Sequence, residues 1–160
     1  MGLLGEILSL FLPPQKPPQK PPQKQYGNKC VTATGEEVKS HAEQQIADFF
    51  RKIGVRYEYE RPIKTSVQIF GAKFFEEKVS LPDFYLPEYN VYVEYWGMLE
   101  VDDPGKRREY QRSMRWKMAQ YHKYGVKFIS IYPKNMRNLD WVFRAKFREV
   151  TGIELPRYNR

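Results

Sequence analysis

Two acidic residues, Asp83 and Glu94, lie in short apolar and aromatic segments on either side of residues 87–90, Pro-Glu-Tyr-Asn. These segments predict a β-hairpin with residues 87–90 as its loop. If Leu86 and Val91 form the last pair before the loop, Asp83 lies opposite Glu94 and both side chains share one face of the sheet. Two opposed carboxylates repel each other, so this arrangement favours a bound divalent cation. The alternative is an exposed hairpin face with two solvated acids.

A divalent cation between two carboxylates would indicate hydrolytic chemistry. Mg²⁺ prefers oxygen ligands and retains several of its waters, and a metal-activated water can attack a phosphodiester. The hairpin therefore predicts a site for phosphodiester hydrolysis.

A predicted helix follows the hairpin, from about Pro104 to Tyr124. Its inward face is predicted to have Lys117 at its centre, among aromatic and apolar side chains at helical spacing: Tyr110, Met114, Tyr121 and Tyr124. Lys117 either extends past these side chains towards solvent or is held near the two acids.

The opposite side of this helix is basic. Arg108, Arg112 and Arg115 lie there with Ala119, and none of the three arginines has an acid four residues later. They can follow a phosphate backbone, and an ordinary solvated surface is the alternative.

An earlier helix is predicted to open near Gly35-Glu36-Glu37 and to end at Gly54, with an apolar stripe of Ala42, Ile46, Phe49, Phe50 and Ile53. Glu43 lies on the edge of this stripe. From there its carboxylate can face the cleft between helix and sheet, and a surface glutamate is the alternative.

The remaining segments complete an α/β pattern. Residues 55–62 predict a strand, residues 64–80 a hairpin or long loop, residues 126–132 a buried strand, and residues 138–151 an amphipathic helix. The element order is α-β-β-β-α-β with a C-terminal helix. We expect a mixed central β-sheet flanked by helices.

The composition favours a polyanionic partner. The 160 residues have a formal net charge of +8, a pI near 9.5 and 16% aromatic residues, so lysines and arginines can neutralise phosphates while aromatic rings stack on bases. The single cysteine, Cys30, excludes an internal disulfide framework and suits the cytoplasm or another reducing compartment. His41 and His122 are too few and too scattered for a zinc cluster.

The N-terminal part differs from the rest of the chain. Residues 1–12 are apolar apart from Glu6, residues 13–33 contain three consecutive Pro-Pro-Gln-Lys repeats at 13–24, and residues 34–160 are predicted to form the folded domain. The repeats favour an extended linker, and the apolar segment could dock onto a protein partner. A weak contact with a membrane surface and an incidental tail are the alternatives. The first twelve residues are too short to span a bilayer, and no other segment could.

Three blocks now resemble a known group: Ser40-His-Ala-Glu43, Leu81-Pro-Asp-Phe-Tyr-Leu86 and Tyr92-Val-Glu-Tyr-Trp-Gly97. Their order and spacing are similar to those of the PD-(D/E)XK, or restriction-endonuclease-like, nuclease superfamily. The resemblance covers residues 39–133 and is closest to nuclease-like segments appended to some DNA helicases.

The resemblance implies Mg²⁺-dependent hydrolysis of DNA, with Mn²⁺ as a substitute metal. It implies a core-helix acid at Glu43, metal-binding acids at Asp83 and Glu94, and a backbone carbonyl ligand from Tyr95. The lysine expected two residues after the second acid is Trp96 here. Some members carry that lysine on the following helix, so Lys117 is the candidate replacement.

The same helix also carries the predicted DNA contacts. Gln120 and Tyr124 resemble a Gln-three residues-Tyr motif that some members use near DNA. With Lys123 and the arginines, the predicted DNA-binding residues are Arg108, Arg112, Arg115, Gln120, Lys123 and Tyr124.

The sequence thus predicts a metal-dependent DNA endonuclease in which Glu43, Asp83, Glu94 and Lys117 are catalytic. The chief alternative is a catalytically inactive nuclease-like module that binds DNA for a helicase or other partner. A third is an RNA-binding or structural viral protein that needs no metal. A homodimer is an alternative to a monomer.

Overall fold

A computed structural model describes residues 30–69 and 73–156, without the side chains of residues 66–77. The predicted docking segment and most of the predicted linker lie outside the described residues. The described strands are β1 (Cys30–Val31), β2 (Glu37–Val38), β3 (Glu58–Tyr59), β4 (Ile63–Ile69), β5 (Lys73–Ser80), β6 (Phe84–Leu86), β7 (Val91–Tyr95) and β8 (Phe128–Ile131). The helices are α1 (His41–Lys52), α2 (Pro104–Lys123) and α3 (Leu139–Thr151), with short 3-10 helices at Gly97–Glu100 and Pro133–Asn138.

The central sheet is mixed, as the sequence predicts. Its strand order is β3-β6-β7-β8, with antiparallel pairing between β3 and β6 and between β6 and β7, and parallel pairing between β7 and β8. Because parallel neighbours need a long crossover, α2 connects β7 to β8. The α/β class and the mixed sheet are therefore confirmed.

One face of this sheet forms the hydrophobic core with α1 and α3. Phe50 of α1 packs edge-on against Phe84 of β6 with ring centroids 5.4 Å apart, and it contacts Phe143 of α3 at 5.1 Å. Alternate residues of β7 and β8 point to the same core. The fully buried side chains there include Ile46, Leu86, Val91, Val93, Ile129, Ile131 and Phe147.

The other face of the sheet packs against α2. Tyr121 of α2 is fully buried and meets Phe128 of β8 with ring centroids 4.9 Å apart. Glu94 of β7 and Ser130 of β8 are register partners, so they lie side by side on this face. The crossover helix thus covers the sheet face that carries a buried acid.

Helix α1 begins later than the sequence pattern suggests. Gly35 has φ +86° and lies in the turn between β1 and β2, a conformation that favours glycine, so no helix opens there. Ser40 is the N-cap, with its hydroxyl accepting from the backbone N–H of Glu43 at 3.2 Å. The predicted opening near residue 35 is wrong because the cap residue, not the apolar stripe, sets the first turn.

Three further segments can be compared with the sequence predictions: residues 55–62, residues 64–80 and the N-terminal strand pair. Residues 55–62 contain only the two-residue strand β3, and residues 64–80 contribute to the β4–β5 hairpin, which forms its own two-stranded sheet. At the N-terminal side, Cys30 of β1 pairs with Val38 of β2 and is buried. Pairing therefore starts before the domain boundary predicted at Thr34.

Membrane-spanning helices were not expected, and within residues 30–69 and 73–156 no helix combines the length and apolar composition needed to cross a bilayer.

Candidate active site

The loop between β6 and β7 sets the position of the two acids. Leu86 pairs with Val91 and Phe84 with Val93, which is the predicted register, and its next step places Asp83 opposite Glu94. The Asp83 carboxylate also accepts a hydrogen bond from the backbone N–H of Tyr95 at 2.6 Å. Backbone pairing and this bond hold the two acids on one face of the sheet.

Glu94 is held from both sides by α2. The Lys117 ammonium donates to Oε1 of Glu94, and the Tyr121 hydroxyl donates to Oε2 at 3.1 Å. Tyr121 in turn shares a hydrogen bond of 3.0 Å with the Ser80 hydroxyl of β5. The Lys117 side chain is 23% exposed and the Glu94 side chain 5%. Of the two possibilities for Lys117, the structure therefore shows the one in which it is held at the acids.

The electrostatics of the acid pair favour an additional positive charge. Burial raises the pKa of Asp83 well above its usual value, and the negative charges of Glu94 and Glu43 raise it further. Burial also raises the pKa of Glu94, although Lys117 and Tyr121 oppose this shift. One lysine thus offsets only part of the cost of ionising two acids in this site.

Glu43 is buried at the first turn of α1 and is not a surface residue. Its carboxylate accepts from the Ser40 hydroxyl at 2.8 Å, from the backbone N–H of Lys39 at 3.1 Å and from the Tyr59 hydroxyl. The N-terminus of a helix favours such a negative charge. Glu43 therefore acts on the acid pair through its charge, while its own oxygens bind donors near the helix cap.

The donor set fits a hard cation. Among residues 30–69 and 73–156 there is no group of three or more His, Cys, Asp or Glu side chains that could hold a metal ion. Mg²⁺, however, commonly binds through one or two carboxylates and retains its waters. Asp83 and Glu94 supply two such oxygens, and the carbonyl of Tyr95 stays a predicted third ligand.

Trp96 occupies the position two residues after Glu94. Its ring is 1% exposed and packs edge-on against Tyr110 of α2, with centroids 6.5 Å apart. The Lys117 ammonium lies 5.6 Å from the centre of the Trp96 ring, a cation–π contact. An indole therefore lies two residues after Glu94, and the ammonium that contacts this acid comes from α2.

Two buried polar atoms near Glu94 lack partners. In the described part of the chain, Nε1 of Trp96 and the hydroxyl of Ser130 are the buried side-chain atoms without a hydrogen bond. Ser130 is the cross-strand neighbour of Glu94, and Trp96 lies two residues after Glu94, just past the end of β7. Buried donors normally have partners, and these two have none among the described residues.

The predicted DNA-binding residues lie elsewhere on α2. Arg108, Arg112 and Arg115 are exposed on the side opposite Lys117, and Gln120 and Lys123 follow towards the C-terminal end. Tyr124, predicted on the inward face, is 40% exposed because α2 ends at Lys123, and the Lys123 ammonium lies 5.0 Å from its ring centre. The structure brings Asp83, Glu94 and Lys117 together but keeps the arginines apart from them.

Sequence reasoning missed the hydroxyl groups of the site. The sequence places Tyr121 on the inward face of α2 but does not predict its hydrogen bond to Glu94. The signal was available, because Tyr121 follows Lys117 by one helical turn and therefore lies over the same strand. Ser80 and Tyr59 gave no such signal because they come from separate strands.

No protein-family model matches this chain, and comparisons with curated proteins and with solved structures return no match.

Proposed function

We propose that this protein is a metal-dependent DNA nuclease, an endonuclease that hydrolyses phosphodiester bonds with Mg²⁺ or, as a substitute, Mn²⁺. The observation that carries the proposal is the juxtaposition of Asp83 and Glu94 on one face of the sheet, with the Lys117 ammonium bonded to Glu94. Metal-dependent phosphodiester hydrolysis uses acids that hold the metal ion and a positioned cation near the negatively charged substrate. The resemblance to the PD-(D/E)XK superfamily supports the same reaction.

Asp83 and Glu94 would hold the metal ion, with the Tyr95 carbonyl as a further ligand. When bound, Mg²⁺ supplies a water of lowered pKa and neutralises charge on the phosphate. The raised pKa of Asp83, caused by burial and the charge of Glu94, means that a cation would stabilise the ionised pair.

The side chains of α2 orient the acid pair. Lys117 and Tyr121 each engage one oxygen of Glu94, so the carboxylate cannot rotate freely. The Tyr95 backbone N–H fixes one oxygen of Asp83 in the same way. Lys117 also places a positive charge where a phosphate would approach, which favours the more negative transition state.

The test is cleavage of supercoiled plasmid and of labelled single-stranded and flap DNA, with Mg²⁺, Mn²⁺ or a chelator. Asp83→Asn and Glu94→Gln keep side-chain size and remove one negative charge each. We expect both to lower the cleavage rate by about 10² or more, within the range for positioned catalytic groups, and to retain DNA binding.

Asp102→Asn is the matched control, because this exposed acid lies outside the site. It should cleave at the wild-type rate. Unchanged cleavage by both Asp83→Asn and Glu94→Gln would refute the assignment of the site.

A second candidate is a catalytically inactive nuclease-like module that binds DNA for a helicase or other partner. The contact between Lys117 and Glu94 favours it, because this ammonium already neutralises one acid without a metal. The presence of Trp96 at the superfamily's lysine position favours it too. Such a module would bind DNA equally well with Mg²⁺ or chelator and would cleave no substrate.

A further inference from the structure

The outer side of α2 is a basic surface that also carries one exposed acid, Glu109, three residues before Arg112. We call Arg108, Arg112, Arg115 and Trp116 the arginine face. In the described part of the chain none of the three arginines forms an ion pair or hydrogen bond through its side chain, and all three are exposed. Together with Gly105 and Gln111 they line an open depression on the helix surface. Unpaired guanidinium groups in a row form a surface complementary to phosphates.

Trp116 adds an apolar ring to this surface. It is 43% exposed and lies one helical turn after Arg112, so the two side chains are neighbours on the helix. No other ring stacks on Trp116 among the described residues. A large exposed indole beside a row of cations can stack on bases while the cations bind the backbone.

The arginine face points away from the candidate active site. At 100° per residue, Arg108 and Arg112 lie about 180° and 140° from Lys117 around the helix axis. A helix with its side chains is about 10–12 Å across. A phosphate at Glu94 and Lys117 is therefore on the other side of α2 from the arginines, and the two surfaces contact different segments of nucleic acid.

We propose that the arginine face binds single-stranded DNA, with Trp116 stacked on an unpaired base. This rests on the DNA partner of the proposed function but not on cleavage. In a duplex the bases cover one another's faces, whereas a single strand leaves them open to an aromatic side chain. The substrate class is therefore DNA with an unpaired segment away from the position of cleavage.

The length of the arginine face sets the minimum length of the probe. Residues 108 to 116 span about 12 Å at 1.5 Å per residue, comparable with about four nucleotides at 3.4 Å per nucleotide of one strand. A labelled 12-nucleotide oligothymidylate covers the surface, and a 12-base-pair duplex is the comparison.

The experiment measures the affinity of the full chain for both probes in chelator, so that cleavage plays no part. We expect Trp116→Ala to weaken single-strand binding about 5- to 150-fold, the loss of one stacked base, and duplex binding less than about twofold. Trp141→Ala is the matched control, since Trp141 is 74% exposed but lies outside the arginine face. It should leave both affinities unchanged.

Fluorescence gives a second readout. In a Trp141→Phe background, Trp116 is the exposed indole, because Trp96 is 1% exposed. We expect the oligothymidylate to quench this emission and the duplex not to do so. Equal losses of affinity for both probes in Trp116→Ala, or no loss for either, would overturn the proposal.

The two proposals fail separately. If the protein cleaves no DNA but Trp116→Ala selectively weakens single-strand binding, only the nuclease proposal fails. If cleavage depends on Asp83 and Glu94 but Trp116 has no selective effect, only the arginine-face proposal fails.

Discussion

The two sides of α2 place the same kind of charge in opposite surroundings. On the inner side the Lys117 ammonium binds Glu94 and contacts the Trp96 ring. On the outer side Arg108, Arg112 and Arg115 are exposed and form no ion pair among the described residues. A charge interaction is strong and little screened in the interior, but weak and salt-dependent at the surface. The inner cation should therefore affect stability and turnover, and the outer cations should affect salt-dependent association.

Replacing the inner cation should have the largest effect. Lys117→Met keeps the long apolar side chain and removes the charge, so turnover should fall by about 10² to 10⁴. It also leaves the buried Glu94 without its ammonium, and we expect the free energy of unfolding to fall by about 1 to 3 kcal/mol. Cleavage kinetics and chemical denaturation measure the two effects.

Two further variants separate charge from packing at this position. Glu94→Gln in the Lys117→Met background removes the stranded acid, so stability should recover while turnover does not. Lys117→Arg keeps the charge but replaces a compact ammonium by a planar fork, and it should restore stability better than turnover. A fully active Lys117→Met protein would contradict a catalytic role for Lys117.

Removing the outer cations should change binding and not turnover of bound DNA. Replacing Arg108, Arg112 and Arg115 together by alanine should flatten the slope of log affinity against log salt by up to about 3, about one per lost phosphate contact. The free energy of unfolding should be nearly unchanged, because exposed unpaired side chains contribute little. An unchanged slope would show that these arginines are ordinary solvated surface.

Tyr121 connects the inner cation site to β5, so its hydroxyl should matter more than that of an exposed tyrosine. Tyr121→Phe removes the hydrogen bond to the Glu94 carboxylate and leaves the Ser80 hydroxyl without its bond to Tyr121. We expect the free energy of unfolding to fall by about 1.5 to 3 kcal/mol, as for bonds to charged groups. Tyr124→Phe, with its hydroxyl at an exposed residue, should show no change in the same denaturation experiment.

Replacing Ser130 should have the smallest effect on the free energy of unfolding, and it should stabilise the protein if it changes stability at all. Its buried hydroxyl has no partner among the described residues, so Ser130→Ala should leave the free energy of unfolding unchanged or raise it by up to about 1 to 2 kcal/mol. Ser80→Ala, which removes a bonded hydroxyl, should lower stability by about 0.5 to 1.5 kcal/mol. Equal destabilisation by both would mean that the Ser130 hydroxyl is bonded in the folded protein.

Local patterns in the sequence were enough for the elements that build the site. The turn residues at 87–90 gave the register of β6 and β7, and the apolar spacing gave α2, β8 and α3. Lys117 was placed on the inward face because a helix has a regular period. These features depend on neighbours within a few residues, and such neighbours are visible in the sequence.

The parts that were not predicted depend on distant contacts or on single cap residues. The β1–β2 pair is two residues long on each side, too short for a periodic signal. The hydroxyl of Tyr59 on β3 donates to the Glu43 carboxylate on α1, and no residue spacing in the sequence predicts that hydrogen bond. The sequence predicts Tyr124 on the inward face of α2. The helix ends at Lys123, so Tyr124 is the C-cap residue and does not lie on that face.

The packing of Trp96 against Lys117 means that substitutions at positions 96 and 117 constrain each other during evolution. A lysine at position 96 would bring a second ammonium within a few ångströms of the first and would leave the space of an indole beside Tyr110. A chain without either lysine would lose the cation altogether. The two positions should therefore covary among descendants of this chain: lysine at 117 accompanies a bulky aromatic residue at 96, and a lysine at 96 requires both positions to change together.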